Sequence, residues 1–418
     1  MSPTIPSADR RAVITGIGVV APTGQDRESW WSATRAGNSG IERIARFDPS
    51  RYPVTLAGEV RDFEPGDHLD QRLIKQTDRW TWMALVAAQA ALDDAGFDPA
   101  GHDPYSMSVI TASSSGGNEF GQREIQALWE KGPVFVGAYQ SIAWFYAATT
   151  GQISIKHGMK GPSGVVLAEG AGSLEALAHS RRTIRRGVET AVSGGIEAPI
   201  GPYALTCQLG TGFLSTESDP AAAYRPFDAR ANGYVPGEGG AILLVESLES
   251  AQQRSAPQIY GEILGYGATN DAHHWGKPAP DAEQSARAMS VALKNAGISP
   301  GEVDAVVADA FGVPEIDALE VQAIRTVFGE HAGRVPVLAP KSGVGRMYAG
   351  GASLDAAAAL LCMRDGTLPP IVNLEEPADG FELDFVRGSE RRGEPSTILV
   401  NARGFGGFNS ALVLRRMT

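Results

Sequence analysis

Apolar positions along the chain alternate between two patterns. Short apolar runs bounded by glycine, proline or polar clusters predict buried strands, and longer stretches with apolar residues three and four apart predict helices. Ala12 to Gly16 is the first such strand, with GIGVVAPTG as the turn after it. Asp26 is placed to N-cap a short helix through Trp30 and Trp31 that ends near Gly37. The stretch from Asp70 to Ala95 is helical in pattern. Ala84, Ala87, Ala88, Ala90 and Ala91 give it small side chains that allow close packing, so it predicts a buried helix closed by Gly96. Ser106 to Ala112 predicts a strand and SSSGGNEFG a loop after it. Gly164 to Ala168 is a further strand, EGAGS a turn, and Leu174 to Arg186 a helix, with the chain returning as a strand at Val188 to Gly194. Strand, turn, helix and strand in that order predict a parallel or mixed sheet.

The pattern then repeats. Ala241 to Glu246 predicts a strand and Leu248 to Arg254 a polar connector. A second run of alternating elements starts at Ile259. Helices are predicted over 281–296, 316–328 and 353–364, and strands over 303–308, 335–338, 397–401 and 410–414. The expected organisation is a flexible tail over 1–10, one α/β half over 11–255 and a second over 256–418, packed closely together.

Composition limits what such a fold can do. Of 418 residues, 43% are hydrophobic and 20% charged, enough for a sizeable core, and the formal net charge is −12. An acidic chain argues against nucleic-acid binding, which needs basic patches. The one dense basic cluster, Arg181, Arg182, Arg185 and Arg186, has helical spacing. It reads as a solvated helix face or as a docking site for an acidic partner such as a carrier protein. Two cysteines, Cys207 and Cys362, are too few for a disulfide framework and fit a cytoplasmic protein. Both read as buried small residues. No apolar run is long enough to span a membrane, and MSPTIPSADR lacks the apolar segment of a signal peptide.

Three motifs offer chemistry. GIGVVA at Gly16 to Ala21 matches a dinucleotide fingerprint, but Pro22, Thr23 and Gly24 stand where the phosphate-binding helix should begin, so no nucleotide cofactor is expected. His273 and His274 are the only adjacent histidines and have no partner ligands at metal-site spacing, so no metal is expected. GPSGVVLAEGAGSLEAL ends an apolar strand in a tight turn and starts a helix at once, which is the geometry of a nucleophile elbow. A thiol there would sit at the positive helix end, which lowers its pKa. No cysteine occupies the turn, and Ser173 is not framed as G-x-S-x-G.

Six stretches together carry a resemblance along nearly the whole chain: VITGIGVVAPTG, the helix ending AAQAALDDAG, GPSGVVLAEGAGSLEAL, RPFDARANGYVPGEGGAILLVE, KSGVGRMYAGGA and NARGFGGFNSALV. In this order they resemble the β-ketoacyl synthases. The resemblance implies a thiolase-like α/β fold, with duplicated halves forming a layered α-β-α-β-α core. It also implies that a catalytic cysteine belongs at Gly170 and two histidines at Phe311 and Arg346, while Lys341 and the GFGG turn at Gly404 to Gly407 are retained. Ketosynthase chemistry needs a thiolate to hold the acyl chain and donors to stabilise the developing charge. Glycine and phenylalanine supply neither, and arginine cannot act as a neutral imidazole does.

That degenerate set, with VPEIDALE, KSGVGRMYAGG and AWFYAATTGQISIKHGMKGP, resembles the chain-length factor, or ketosynthase β-subunit, of type II polyketide synthases. The resemblance implies no catalysis by this chain alone and no cofactor. It implies a heterodimer with a cysteine-bearing ketosynthase α-subunit, an acyl carrier protein as partner, and a growing polyketide threaded into the interface. It places Asn118, Gly121 and Ile125 at the far end of the tunnel, and Phe405 matches a gating ring of ketosynthases that, without a nucleophile, is left to fill a vestigial pocket. Trp144, Phe145 and Tyr146 read as interface residues, although a plain core cluster would look the same in sequence. Glutamine is usual at the elbow of that subfamily, and Gly170 departs from it. The alternatives are an acyltransferase working through Lys341, Glu169 or Ser173, and a scaffold that never touches substrate.

Overall fold

In a computed structural model describing residues 10–417, the first predicted strand runs on through its glycine turn. β1 (Ala12–Val20) is buried along all nine residues. The glycines of GIGVVA explain this extension. A Cβ on Gly16 or Gly18 would overlap the backbone carbonyls of Ala91 and Ala87 in the helix Arg79–Asp94. The two glycines seat a helix directly on a strand, so the motif is a packing device and opens no phosphate-binding helix.

The first half continues with β2 (Met107–Ala112), β3 (Gly164–Val166), β4 (Thr190–Glu197) and β5 (Gly239–Ser247). The second half supplies β6 (Gly261–Asn270), β7 (Ala305–Val307), β8 (Pro336–Leu338), β9 (Thr397–Gly404) and β10 (Phe408–Arg415). Spatial order is β3-β2-β4-β5-β1 in the first half and β8-β7-β9-β10-β6 in the second. These are the same order, strand for strand, and the directions match too. β2 runs parallel to β3 and β4 as β7 does to β8 and β9, while β5 and β10 are antiparallel to both neighbours. The duplication reaches single residues. Gly265 and Gly267 on β6 take the carbonyls of Ala292 and Ala288 from helix Glu283–Ala296 as closely as Gly16 and Gly18 take theirs.

The halves join where β1 meets β6 antiparallel at Val13–Glu262 and Ile14–Gly261. With Asp384–Phe385 beside β8, the eleven strands form one continuous sheet. Helices Gly172–Arg185 and Ala349–Asp365 lie at the centre, and each touches strands of both halves. Ala349 to Met363 is buried without interruption, so this stretch of the helix turns no side to solvent. Helices Arg79–Asp94 and Glu283–Ala296 form the outer layers. The result is the thiolase-like layering that the resemblance implied.

Several elements differ from expectation. The helix predicted over 70–95 is two helices, Gln71–Gln76 and Arg79–Asp94. Thr77 is extended between them, and Asp78 caps the second by accepting from the Arg79 N–H. Asn118–Lys131, expected to begin as loop, is a helix from its first residue. Leu248–Gln253, expected as a connector, is a short helix capped by the Ser247 hydroxyl. The expected tail lies outside the described residues except Arg10, whose guanidinium donates to the carbonyls of Ile184 and Val188. No helix among the described residues is long and apolar enough to cross a membrane.

Candidate functional site

Strand β3 ends at Val166, and the chain turns through Glu169–Ala171 before the central helix begins at Gly172. Glu169 bears the strain of this elbow with φ +45°. Its carboxylate is buried, which pushes its pKa up, and accepts the Phe405 N–H at 2.9 Å. Gly170 has no free space beside it. A Cβ there would overlap the Arg403 carbonyl oxygen and lie 3.1 Å from Nη2 of Arg346.

Arg346 fills the place of an elbow side chain. Its Nη1 donates to Oδ2 of Asp309 at 3.0 Å and its Nη2 to the Arg403 carbonyl at 3.4 Å. Its guanidinium carbon lies 3.8 Å from the ring centre of Phe311, a cation–π contact out of water. Burial opposes its charge most strongly, but Asp309, Glu169 and Tyr224 together offset it and hold its pKa above the ordinary value. Lys341 is buried behind it, 3.3 Å from Oδ1 of Asp309 and 2.5 Å from Oδ2 of Asp355. Asp309 is thus held between two cations, and despite burial its pKa is lowered, chiefly by Arg346 and then Lys341.

Aromatic rings close the other side. Phe311 meets Tyr234 edge-on at 5.5 Å and Phe405 edge-on at 5.6 Å, while Phe405 stacks on Phe213 at 5.9 Å. The space between Glu169, Gln208, Tyr234, Arg346, Tyr348 and Phe405 admits no water-sized sphere. Outside Phe311 and Phe405 lies a cleft of about 30 Å³ reaching Lys277 and Arg403, room for a water or two.

The structure therefore gathers Gly170, Phe311, Arg346, Lys341 and Phe405 into one closed cluster. Phe405 belongs here and not with Asn118, Gly121 and Ile125, which occupy the helix Asn118–Lys131. Asn118 is half-buried, Gly121 buried and Ile125 exposed. Trp144 and Phe145 are exposed and Tyr146 is half-buried, so these three do not form a core cluster. Ser173 is buried, with its hydroxyl donating to the Ala349 carbonyl at 2.6 Å. Cys207, expected to be buried, is exposed on the short helix Pro202–Leu209, because that helix turns its Ala204–Leu205 side inward; Cys362 is buried. His273 and His274 lie in an exposed loop, and no cluster able to hold a metal occurs among the described residues. Of the basic cluster, Arg181 is buried against Asn295 and the Leu264 carbonyl, while Arg182 and Arg186 are exposed.

Sequence reasoning missed Asp309, the carboxylate that makes a buried arginine and lysine tolerable together. Its position two residues before Phe311 was the available signal.

Residues 9–251 match the N-terminal domain of β-ketoacyl synthases, and residues 260–375 match the C-terminal domain. The chain belongs to the β-ketoacyl synthase family. Within it, the chain is 53% identical over 412 residues to the tetracenomycin polyketide synthase ketoacyl synthase β-subunit of Streptomyces glaucescens, covering 98% of this chain and 99% of that protein. Solved structures share its fold. The ishigamide ketosynthase/chain length factor has a TM-score of 0.92 at 29% identity, covering 98% of this chain and 100% of that one. A ketosynthase of a type II polyketide synthase, bound to the hexaketide and in complex with its acyl-carrier protein, gives 0.89 at 28% identity over 98% and 100% of the two chains.

Proposed function

We propose that this ketosynthase homologue is a chain-length factor. It pairs with a cysteine-bearing ketosynthase α-subunit in a cytoplasmic heterodimer, has no activity alone, and shapes the tunnel in which a polyketide grows from acyl carrier protein. One observation carries this reading: the elbow is closed. Gly170 offers no nucleophile, and the volume beside it holds the guanidinium of Arg346, pinned by Asp309 and Phe311. An acyl thioester needs a thiolate and an open oxyanion site, and neither has room here. Lys341 and Ser173 are buried and engaged with neighbours, which leaves them no path to a substrate.

The surface supports the partner. Between Ile125 and Phe145 the chain exposes a run of large apolar side chains, with Trp129 82% and Val134 87% exposed. A patch of this kind marks a protein interface. β3 ends the sheet with a free edge, and the next residue, Leu167, is exposed. Such an edge invites a partner strand. The tunnel would run past Asn118, Gly121 and Ile125 on the helix beside this face.

Reconstitution tests the reading. The chain alone, the cysteine-bearing partner alone and the pair are each incubated with acyl carrier protein and malonyl thioester. Full-length product is expected from the pair only, and product from this chain alone overturns the proposal.

A further inference from the structure

Gly121 is not an open position. A Cβ built on it would lie 2.8 Å from Cδ1 of Trp144, 3.4 Å from Nε1 and 3.6 Å from Cγ. The indole therefore lies on the Gly121 Cα and fills the volume that the absent side chain leaves. The seat is fixed by backbone. Trp144 closes the short helix Gln140–Ala143, and its carbonyl accepts the Gly117 N–H at 3.3 Å. The Ala143 carbonyl approaches Gly117 so closely that a Cβ there would overlap it, and it accepts from Nε1 of buried Trp80 at 3.5 Å. Gly116, with φ +62°, has no side chain to obstruct the Trp144 carbonyl or the Tyr146 ring. Tyr146 supports the indole at 6.0 Å between ring centres, tilted by 45°.

Three small residues at the start of Asn118–Lys131 thus form a socket for the segment 143–146. Trp144 as a residue remains 44% exposed, so what this position presents outward is tryptophan.

We propose that Trp144, and not Gly121, sets the bore of the tunnel here: the indole limits chain length, and Gly121 is the seat that receives it. The inference rests on the tunnel reading above. It predicts that the two residues trade volume, because a bulky residue at 121 and the indole of Trp144 compete for one space.

The test uses the reconstituted heterodimer with acyl carrier protein and malonyl thioester, reading product length by mass spectrometry. Trp144→Ala is expected to lengthen the product by at least one two-carbon extension. The swap Gly121→Phe/Trp144→Ala is expected to restore the parental length. Asn118→Trp serves as the control for the tunnel itself and is expected to shorten the product whatever stands at 144. Shortening by Asn118→Trp with unchanged length in Trp144→Ala overturns this inference alone. Unchanged length in both overturns the tunnel reading with it. Reduced yield at unchanged length in Trp144→Ala means that the indole serves only assembly, and this too overturns the inference. If Trp144→Ala fails to assemble with its partner, Trp144→Leu is read by the same criteria.

Discussion

Around Gly170, four side-chain choices depend on one another. Arg346 needs the space that glycine leaves, the charge of Asp309 and the ring of Phe311; Asp309 in turn needs Lys341 or Arg346 to stay ionised without water. Restoring a thiol therefore does not restore a site. Gly170→Cys is expected to lower stability by about 1–3 kcal/mol, the usual cost of overpacking, in urea unfolding. Incubation with acyl thioester should leave the variant unlabelled, and an acylated variant would count against the closed elbow. Removing one partner of a buried ion pair costs about 3–5 kcal/mol. Arg346→Met should fall at the low end, because Lys341 still faces Asp309. The double variant Arg346→Met/Asp309→Asn should regain part of the loss, whereas a single variant as stable as the parent would show that the pair contributes little. At this scale the sequence was partly legible. Gly170, Phe311 and Arg346 could each be read as a departure from an active family. That they fill one volume could not, since Arg346 reaches Asp309 across 37 residues and the Arg403 carbonyl across 57.

Among the elements, those with unambiguous ends were read well. Asp26 caps its helix by accepting from Glu28 and Ser29, as its position suggested. The break at Thr77–Asp78 was hidden because the helical pattern runs through it without glycine or proline. Asn118–Lys131 was missed at its start because Gly116, Gly117 and Gly121 read as loop. Those glycines are there to admit the Ala143 and Trp144 backbone and the Trp144 ring, contacts more than 20 residues away. Its apolar residues Ile125, Leu128 and Trp129 stay exposed, Trp129 most of all, so burial among the described residues does not account for them. The expected consequence belongs to this scale. Val134→Asp and Phe135→Asp should leave the fold of the single chain intact, since both residues are exposed. They should weaken heterodimer formation at least tenfold, measured by sedimentation of the mixed subunits. Unchanged association would place the interface elsewhere.

The whole molecule is one pattern used twice, and its core was legible as two α/β runs because strand and helix periods alternate cleanly in both. What the pattern could not convey is how many carboxyls the merged core would bury. Burial pushes Glu197 up to about 8 and Asp317 up to about 8, although each accepts backbone N–H groups. A carboxyl whose pKa is raised on folding holds its proton in the native state after the unfolded chain has lost it, so stability falls as pH rises through that interval. Burial and Lys156 push His157 down to about 4, which acts in the opposite sense, but only below the ordinary histidine range. Between about pH 6.5 and 8 the carboxyls dominate. The melting temperature is expected to drop across that window, and Glu197→Gln should flatten the slope; a flat parental profile would contradict the assignment. Above all these stands the claim that chemistry in the heterodimer belongs to the partner. Intact-protein mass spectrometry of the complex, after loading with acyl carrier protein carrying a labelled acyl group, tests it most directly. The account predicts that all covalent label sits on the cysteine-bearing subunit, and an acyl adduct on this chain would contradict it.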